Sequence, residues 1–369
     1  MKFTCRQQSL SKALNTVSKA VTSRTTIPIL KGILLSATKD GSLVLTASDL
    51  DISIEKTLVG VDVEEEGQAV VQAKLFTEIV RKLPEGDVLI EQKEDNSILI
   101  KASISEFTIA GLPAEEFPEP GEIVEEEQIV LEKELFQEMI RKTSFSASID
   151  ESKGVLVGVL IELTEKNTSM VALDGFRMAV VREEMKNAKS EKLIISAKIL
   201  NDINKILSDV EEEAAVTIGI SKKKAALSMK NLKVSLRLLE GEFIKYKEVL
   251  PRESKCRLVV NKMLFHESME RAALLSREGK NNLVKLIVYE NLLTITSRSE
   301  EGNVKEEVAV EKDGINLEIG FNSKYVIDIL KAIDEETIAI ELVSSVKPCV
   351  IKPVSGARFE YLVLPVRIY

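Results

Sequence analysis

The side chains with the clearest chemical purpose are cations set at a fixed spacing. A ten-residue pattern occurs three times, as Lys74-Leu-Phe-Thr-Glu-Ile-Val-Arg81-Lys-Leu83, Lys198-Ile-Leu-Asn-Asp-Ile-Asn-Lys205-Ile-Leu207 and Lys324-Tyr-Val-Ile-Asp-Ile-Leu-Lys331-Ala-Ile333. Each copy has Lys first, an acid fifth, Ile sixth and Arg or Lys eighth, and the starts lie 124 and 126 residues apart. On a helix the first and eighth positions are about 700° apart, close to two full turns, so both cations share one face. The second, third, sixth and tenth positions are apolar and fall opposite. Each helix is therefore expected to pack one side on a core and to offer a pair of positive charges outward. The chemistry this allows is attraction of an anion. One isolated copy would read as a solvated amphipathic helix with local ion pairs; three copies point further.

The first Lys of each copy lies in the first helical turn, where the backbone dipole disfavours a cation by a few tenths of a kcal/mol, roughly. Ser196 and Asn322 are good N-cap residues for these helices, and Gln72 is a poorer one. All three helices accept the dipole penalty. The second cation sits in the last turn, where the dipole favours it. Lys74, Lys198 and Lys324 thus argue for an anionic partner more strongly than Arg81, Lys205 and Lys331.

Bond-making chemistry lacks its usual residues. There is one histidine, His266, inside an apolar helical stretch, so there is no second histidine to build a zinc site or a two-His centre. Neither G-x-x-x-x-G-K-[ST] nor G-x-G-x-x-G occurs, which removes the common nucleotide-binding loops. No Ser or Cys can be tied to a histidine base except through His266. Carboxylates cluster in hydrophilic runs, as in Glu64-Glu-Glu66, Glu125-Glu-Glu127, Glu211-Glu-Glu213 and Glu300-Glu301, and these read as solvated turns. The expectation is a non-catalytic protein with no cofactor and no metal.

The elements that must carry the cations follow from the period, which divides 369 residues into three similar domains, 1–121, 122–252 and 253–369. Leu112-Pro113 with Phe117-Pro118-Glu-Pro120-Gly121 closes the first third, Leu250-Pro251 the second and Leu364-Pro365 the last. Each third opens with an amphipathic helix, at Leu10 to Ala20, Lys133 to Thr143 and Met263 to Ser276, with Lys19, Lys142 and Arg271 late in each. Alternating strands follow, at Ser42 to Ala47, Val155 to Leu163 and Leu283 to Tyr289. The repeated helix comes next, and further strands end the unit, as at Asp87 to Gln92, Ser97 to Ala102 and Phe107 to Ala110. The fold class is α+β, each domain having two helices covered on one side by antiparallel sheet. A net charge of −9 argues against tight non-specific nucleic-acid binding but leaves room for a basic stripe. The start has no apolar signal region, and no apolar run approaches a membrane span. Cys5, Cys256 and Cys349 are scattered, as expected of reduced thiols in the cytoplasm.

An ordered set of short motifs then resembles a known family. Met1-Lys-Phe-Thr, Ile27-Pro-Ile-Leu30, Thr46-Ala-Ser-Asp-Leu50, Leu83-Pro-Glu-Gly86, Asp174-Gly-Phe-Arg177, Ile319-Gly-Phe-Asn322 and Tyr361-Leu-Val-Leu-Pro-Val-Arg367 are similar, over the whole chain, to the bacterial DNA polymerase III beta subunit, the replication sliding clamp. The resemblance implies a DNA clamp fold with three domains per chain. It also implies a ring-shaped head-to-tail homodimer, with helices lining the hole and sheets outside. Such a ring encircles duplex DNA without regard to sequence. It tethers the DNA polymerase III alpha subunit, the clamp loader, other polymerases and repair proteins. Phosphate contacts that carry no sequence information would let it slide.

By position, the resemblance implies that Arg24, Arg81, Lys198 and Lys205 face DNA; the repeat adds Lys74, Lys142, Arg271, Lys324 and Lys331. Phe107 matches the ring-closing contact on the first domain, and Leu274 and Leu275 match it on the third. A peptide-binding pocket is implied at Leu156, Leu173, Gly175, Arg177, Met178, Val249, Tyr325, Ser345, Leu362, Leu364, Pro365, Val366 and Arg367. The chain departs from the family at Leu173 and Phe176, where Thr and His or Tyr are common, at Ile244 in place of Pro, and in the extra Tyr369. The alternative is a triplicated peptide- or polyanion-binding scaffold that does not close into a ring.

Overall fold

In the computed structural model, the described residues are 1–22, 25–118, 127–185, 190–210, 215–277 and 282–368. The first repeat contains β1 (Lys2–Arg6), α1 (Gln7–Val17), β2 (Gly32–Thr38), β3 (Ser42–Ser48), β4 (Ile52–Val59), β5 (Asp62–Glu65), β6 (Gly67–Gln72), α2 (Ala73–Lys82), β7 (Asp87–Gln92), β8 (Ile98–Ala102), β9 (Ser105–Ile109) and β10 (Gly111–Leu112). The second contains β11 (Glu127–Glu132), α3 (Lys133–Thr143), β12 (Gly158–Leu163), β13 (Asn167–Leu173), β14 (Arg177–Glu184), β15 (Glu191–Ser196), α4 (Ala197–Ser208), β16 (Ala215–Ile220), β17 (Lys224–Met229) and β18 (Leu232–Arg237). The third contains β19 (Cys256–Asn261), α5 (Lys262–Ser276), β20 (Leu283–Tyr289), β21 (Leu292–Ser299), β22 (Gly302–Ala309), β23 (Glu311–Gly314), β24 (Leu317–Asn322), α6 (Ser323–Ala332), β25 (Thr337–Leu342), β26 (Cys349–Pro353) and β27 (Phe359–Val363).

The three copies of the cationic pattern are α2, α4 and α6, each bounded within one residue of its expected range. Gln72 caps α2 after all: its side-chain Oε1 accepts the Leu75 N–H at 2.7 Å. Asn322 caps α6 through the Lys324 N–H at 3.0 Å. The core side of α2 is Ala73, Phe76, Ile79 and Val80, and that of α6 is led by Val326, Ile327, Ile329 and Leu330. Leu75, expected inside, is 46% exposed, because the second position lies only about 100° from the cationic face.

The chain divides into two compact units, one of 1–136 with 205–238 and one of 137–204 with 239–369. In the first unit β5-β1-β7-β8-β9 form one sheet, and β10-β6-β2-β3-β4-β18-β17-β16-β11 form a nine-stranded one. In the second, β15-β12-β13-β14-β27-β26-β25-β19-β23 form another nine-stranded sheet, and β22-β21-β20-β24 form a four-stranded one. Pairing is antiparallel throughout these ladders. Each long sheet is continuous across a border between repeats. Leu232 to Leu236 on β18 pair with Lys56 to Ile52 on β4, and Arg177 to Val181 on β14 pair with Val363 to Phe359 on β27. These shared sheets explain why two units emerge from three repeats. α1 packs on α2 and against β3 and β4, and α5 packs on α6 and against β20, β21 and β22, so sheet covers one side of each helix pair.

The strand expected from Val155 begins at Gly158. Residues Glu151–Val157 form short 3-10 turns, broken at Gly154 with φ +56°, a conformation that glycine adopts without a side-chain clash. Among the described residues no helix is long and apolar enough to cross a membrane. All three cysteines are free and buried. Burial holds the Cys5 thiol up at about 12, which leaves no nucleophilic thiolate there at neutral pH.

Candidate nucleic-acid interface and peptide site

The cations fall into three groups. Lys74, Lys198 and Lys324 are exposed and make no side-chain ion pair among the described residues. Arg81 and Lys205 are also exposed, while Lys331 reaches Glu270 Oε1 at 3.0 Å. The first-turn lysines are therefore the sites where the dipole penalty is accepted without a protein carboxylate in return.

Two expected members differ. Lys142 is 2% exposed, with Nζ 2.7 Å from Glu138 Oε1 and 3.2 Å from Asp334 Oδ2. It is a buried ion-paired residue and offers no charge to solvent, so it leaves the DNA-facing set. Breaking such a pair typically costs about 3–5 kcal/mol. Arg271 is held by the Glu306 carboxylate at 3.0 Å from Nε and 2.6 Å from Nη2, a two-point bond onto β22. Its side chain nevertheless stays exposed, as that of the ion-paired Lys331 does. Arg24 and Tyr369 lie outside the described residues.

The expected pocket residues converge within the second unit. The turn between β13 and β14 starts at Asp174, whose Oδ1 accepts the Phe176 N–H at 2.8 Å and the Arg177 N–H at 3.0 Å. Gly175 takes φ +97°, which lets the turn close tightly. Arg177 is buried where it enters β14. Its Nε donates to Asp174 Oδ2 at 3.1 Å, Nη1 to Asp328 Oδ2 at 2.6 Å and Nη2 to the Phe145 carbonyl at 2.7 Å. The guanidinium lies 4.7 Å from the Tyr325 ring centroid and 5.4 Å from that of Phe145, within cation–π range. Burial and the Asp174 charge raise the Tyr325 phenol above its ordinary value, so it stays neutral. Phe176 is exposed and stacks on Tyr325 with centroids 6.3 Å apart.

Leu173, Met178 and Leu362 belong to one buried apolar cluster, with Leu156 and Leu364 packed against it. The tail is fixed across this surface by the Leu364 N–H to the Phe176 carbonyl and the Val366 N–H to the Gly320 carbonyl, both at 2.8 Å. Val249, Ser345 and Arg367 are exposed, and Pro365 and Val366 half-buried. The result is an apolar floor with exposed apolar edges and a neutralised arginine beneath, which suits a peptide anchored by one or two large side chains.

Sequence reasoning missed Phe243 and Tyr246 in the same cluster, with Leu250 packed against it; their spacing at 243, 246 and 250 was a weak helical signal in an otherwise charged segment. It also missed Ile104, 99% exposed beside β9. Phe107 on β9 and Leu274 on α5 are exposed, and Leu275 is half-buried. No group of His, Cys, Asp and Glu among the described residues could hold a metal ion.

Comparison with known proteins agrees with this geometry. Three family models match: the DNA polymerase III beta subunit N-terminal domain over residues 1–120, its central domain over 130–245 and its C-terminal domain over 247–367. The chain is 35% identical to the beta sliding clamp of Staphylococcus epidermidis, with all of both chains covered. Its structure superposes on the DNA polymerase sliding clamp of Bacillus subtilis with a TM-score of 0.96 at 34% identity. The beta subunit of Thermotoga maritima superposes at 0.93 and 30%, again with full coverage of both chains. With its triplicated helix pair, its shared sheets and these matches along its whole length, the chain belongs to the bacterial DNA polymerase III beta subunit family, the beta sliding clamps, which are non-catalytic processivity factors of DNA replication.

Proposed function

We propose that two copies of this chain close head to tail into a ring around duplex DNA. The pairing of equivalent strands carries this reading. β4, β14 and β22 occupy the same place in the three repeats, as do β18, β27 and β9. β4 pairs with β18, and β14 pairs with β27. β22 and β9 remain as terminal strands of their sheets, and unpaired edges of this kind are templates for another chain. A β22–β9 contact between two copies would repeat both junctions already present, and two such contacts close a ring.

Lys74, Arg81, Lys198, Lys205, Lys324 and Lys331 would supply the sequence-independent attraction to phosphates, with Arg24 placed there by resemblance alone. The binding is weak and salt-screened, and retention comes from topology. The apolar site around Met178 and Leu362 would take linear motifs of the polymerase III alpha subunit, the clamp loader and other polymerases and repair proteins. Domain limits at 121 and 252 and a cytoplasmic location, which suits three buried reduced thiols, complete the proposal.

The test is retention on nicked circular DNA, loaded by the cognate loader with ATP, before and after one linearising cut. Protein lost on linearisation supports the closed ring. Protein that stays bound equally well after the cut is held by surface contact, and overturns it.

A further inference from the structure

We propose that Tyr246 is the positioning residue for one wall of the peptide site: its hydroxyl, bonded to the buried Glu162 carboxylate, sets where Ile244 and Val249 stand. This rests on the reading of that site as a peptide groove. Ile244 and Val249 are both exposed apolar residues. They belong to a segment whose backbone bonds among the described residues are local. The Tyr246 N–H donates to the Ile244 carbonyl at 2.7 Å, the Glu248 N–H to Lys245 at 2.9 Å and the Val249 N–H to Tyr246 at 3.1 Å. One short 3-10 turn, Tyr246–Glu248, is its only regular structure. No strand pairing fixes the wall, so side chains must.

Tyr246 provides the fixed point. Its ring is buried in the cluster that contains Leu173, Met178 and Leu362, the floor of the groove. Its Oη donates to Glu162 Oε2 at 2.8 Å. Glu162 stands on β12 and is buried, and it also receives Lys247 Nζ at 2.8 Å and Lys192 Nζ at 3.0 Å. Burial alone would raise the carboxyl; the bonds from Lys247, Tyr246 and Lys192 outweigh it and hold the group at about 2. The acceptor is therefore charged, and a hydrogen bond to a charged acceptor is about twice as strong as a neutral one. Both lysines are largely exposed, so solvent screens them. The phenol is the buried donor with a single fixed direction, and it lies two residues after Ile244 and three before Val249. Losing the bond frees the wall while the ring still fills the cluster.

The experiment uses the full-length protein and a fluorescein-labelled hexapeptide carrying neighbouring Leu and Phe, read by anisotropy. Tyr246→Phe is expected to weaken binding about tenfold, the equivalent of roughly 1.4 kcal/mol. Exchange of the Val249 amide with solvent should quicken, while dimer mass and DNA retention stay as in the wild type. In the double variant Tyr246→Phe with Glu162→Leu, removing both polar partners should restore Tm, because no buried carboxylate is left short of a donor. Peptide affinity should stay low. Tyr246→Phe binding at wild-type strength, or a double variant that regains affinity together with Tm, overturns the proposal, since the hydroxyl would then serve stability alone. A wild-type protein that fails to bind the peptide overturns the groove reading itself, an outcome the wild-type arm reports separately.

Discussion

Phe107 and Phe359 stand at the same point of two repeats, each six residues before the Pro of a Leu-Pro pair at Pro113 and Pro365, yet Phe107 is 41% exposed and Phe359 1%. Phe359 is covered because β27 pairs with β14, where it faces Val181. β9 has no such partner among the described residues. Phe107→Asp is therefore expected to give a folded monomer, with Tm shifted by no more than about 4 °C, as for a surface substitution. Analytical ultracentrifugation checks this. A variant that still sediments as a dimer would refute the β22–β9 contact. Phe359→Ala, by contrast, empties a packed site and should cost about 3–5 kcal/mol.

The lysines divide by environment. Replacing Lys74, Lys198 and Lys324 together by Glu should sharply reduce loading and retention on circular DNA, with dimer and fold unchanged. Lys198→Glu with Lys205→Glu should weaken retention in the same direction. Lys142→Glu should instead lower stability by about 3–5 kcal/mol, because it sets a third carboxylate between Glu138 and Asp334. Denaturant titration and a DNA retention assay on the same samples separate the two effects. Normal loading by the triple variant would remove the helix-face argument.

The tail carries the third prediction. Leu364 and Val366 bond to Phe176 and Gly320, so ending the chain after Val363 removes one edge of the peptide site and both of these bonds. Polymerase binding, followed by surface plasmon resonance, should be lost, and the ring should remain closed on DNA. Full retention of polymerase binding would show that the site lies elsewhere.

Glu162 gives a pH dependence with a definite sign. Its folded value is depressed from 4.5 to about 2, so the unfolded chain binds its proton first as acid is added. The stabilisation is complete above about pH 5 and is lost as pH falls through 4.5 toward 2. Glu162→Gln should therefore be less stable than the wild type at pH 7, and the gap should narrow by pH 3 in urea titrations. A gap that is constant with pH would mean the carboxylate charge contributes nothing.

Much was legible in the residues alone because period and amphipathicity are local properties. The cationic pattern placed α2, α4 and α6 within one residue, and the alternation of strands such as Leu283–Tyr289 located them directly. Burial of individual charges is not local. Lys142 and Arg271 read as late-helix cations like any other, and only tertiary structure buried Lys142 beside Asp334, far along the chain, and brought Glu306 on β22 to the still exposed Arg271. Nor could spacing reveal the partner of Tyr246, since Glu162 lies on a distant strand. The helices and their cationic faces were thus determined by the sequence through backbone periodicity. Which cations remain free, which strand edges remain open and what holds the peptide wall were decided by tertiary structure, because desolvation and pairing depend on segments that meet only when the chain is folded.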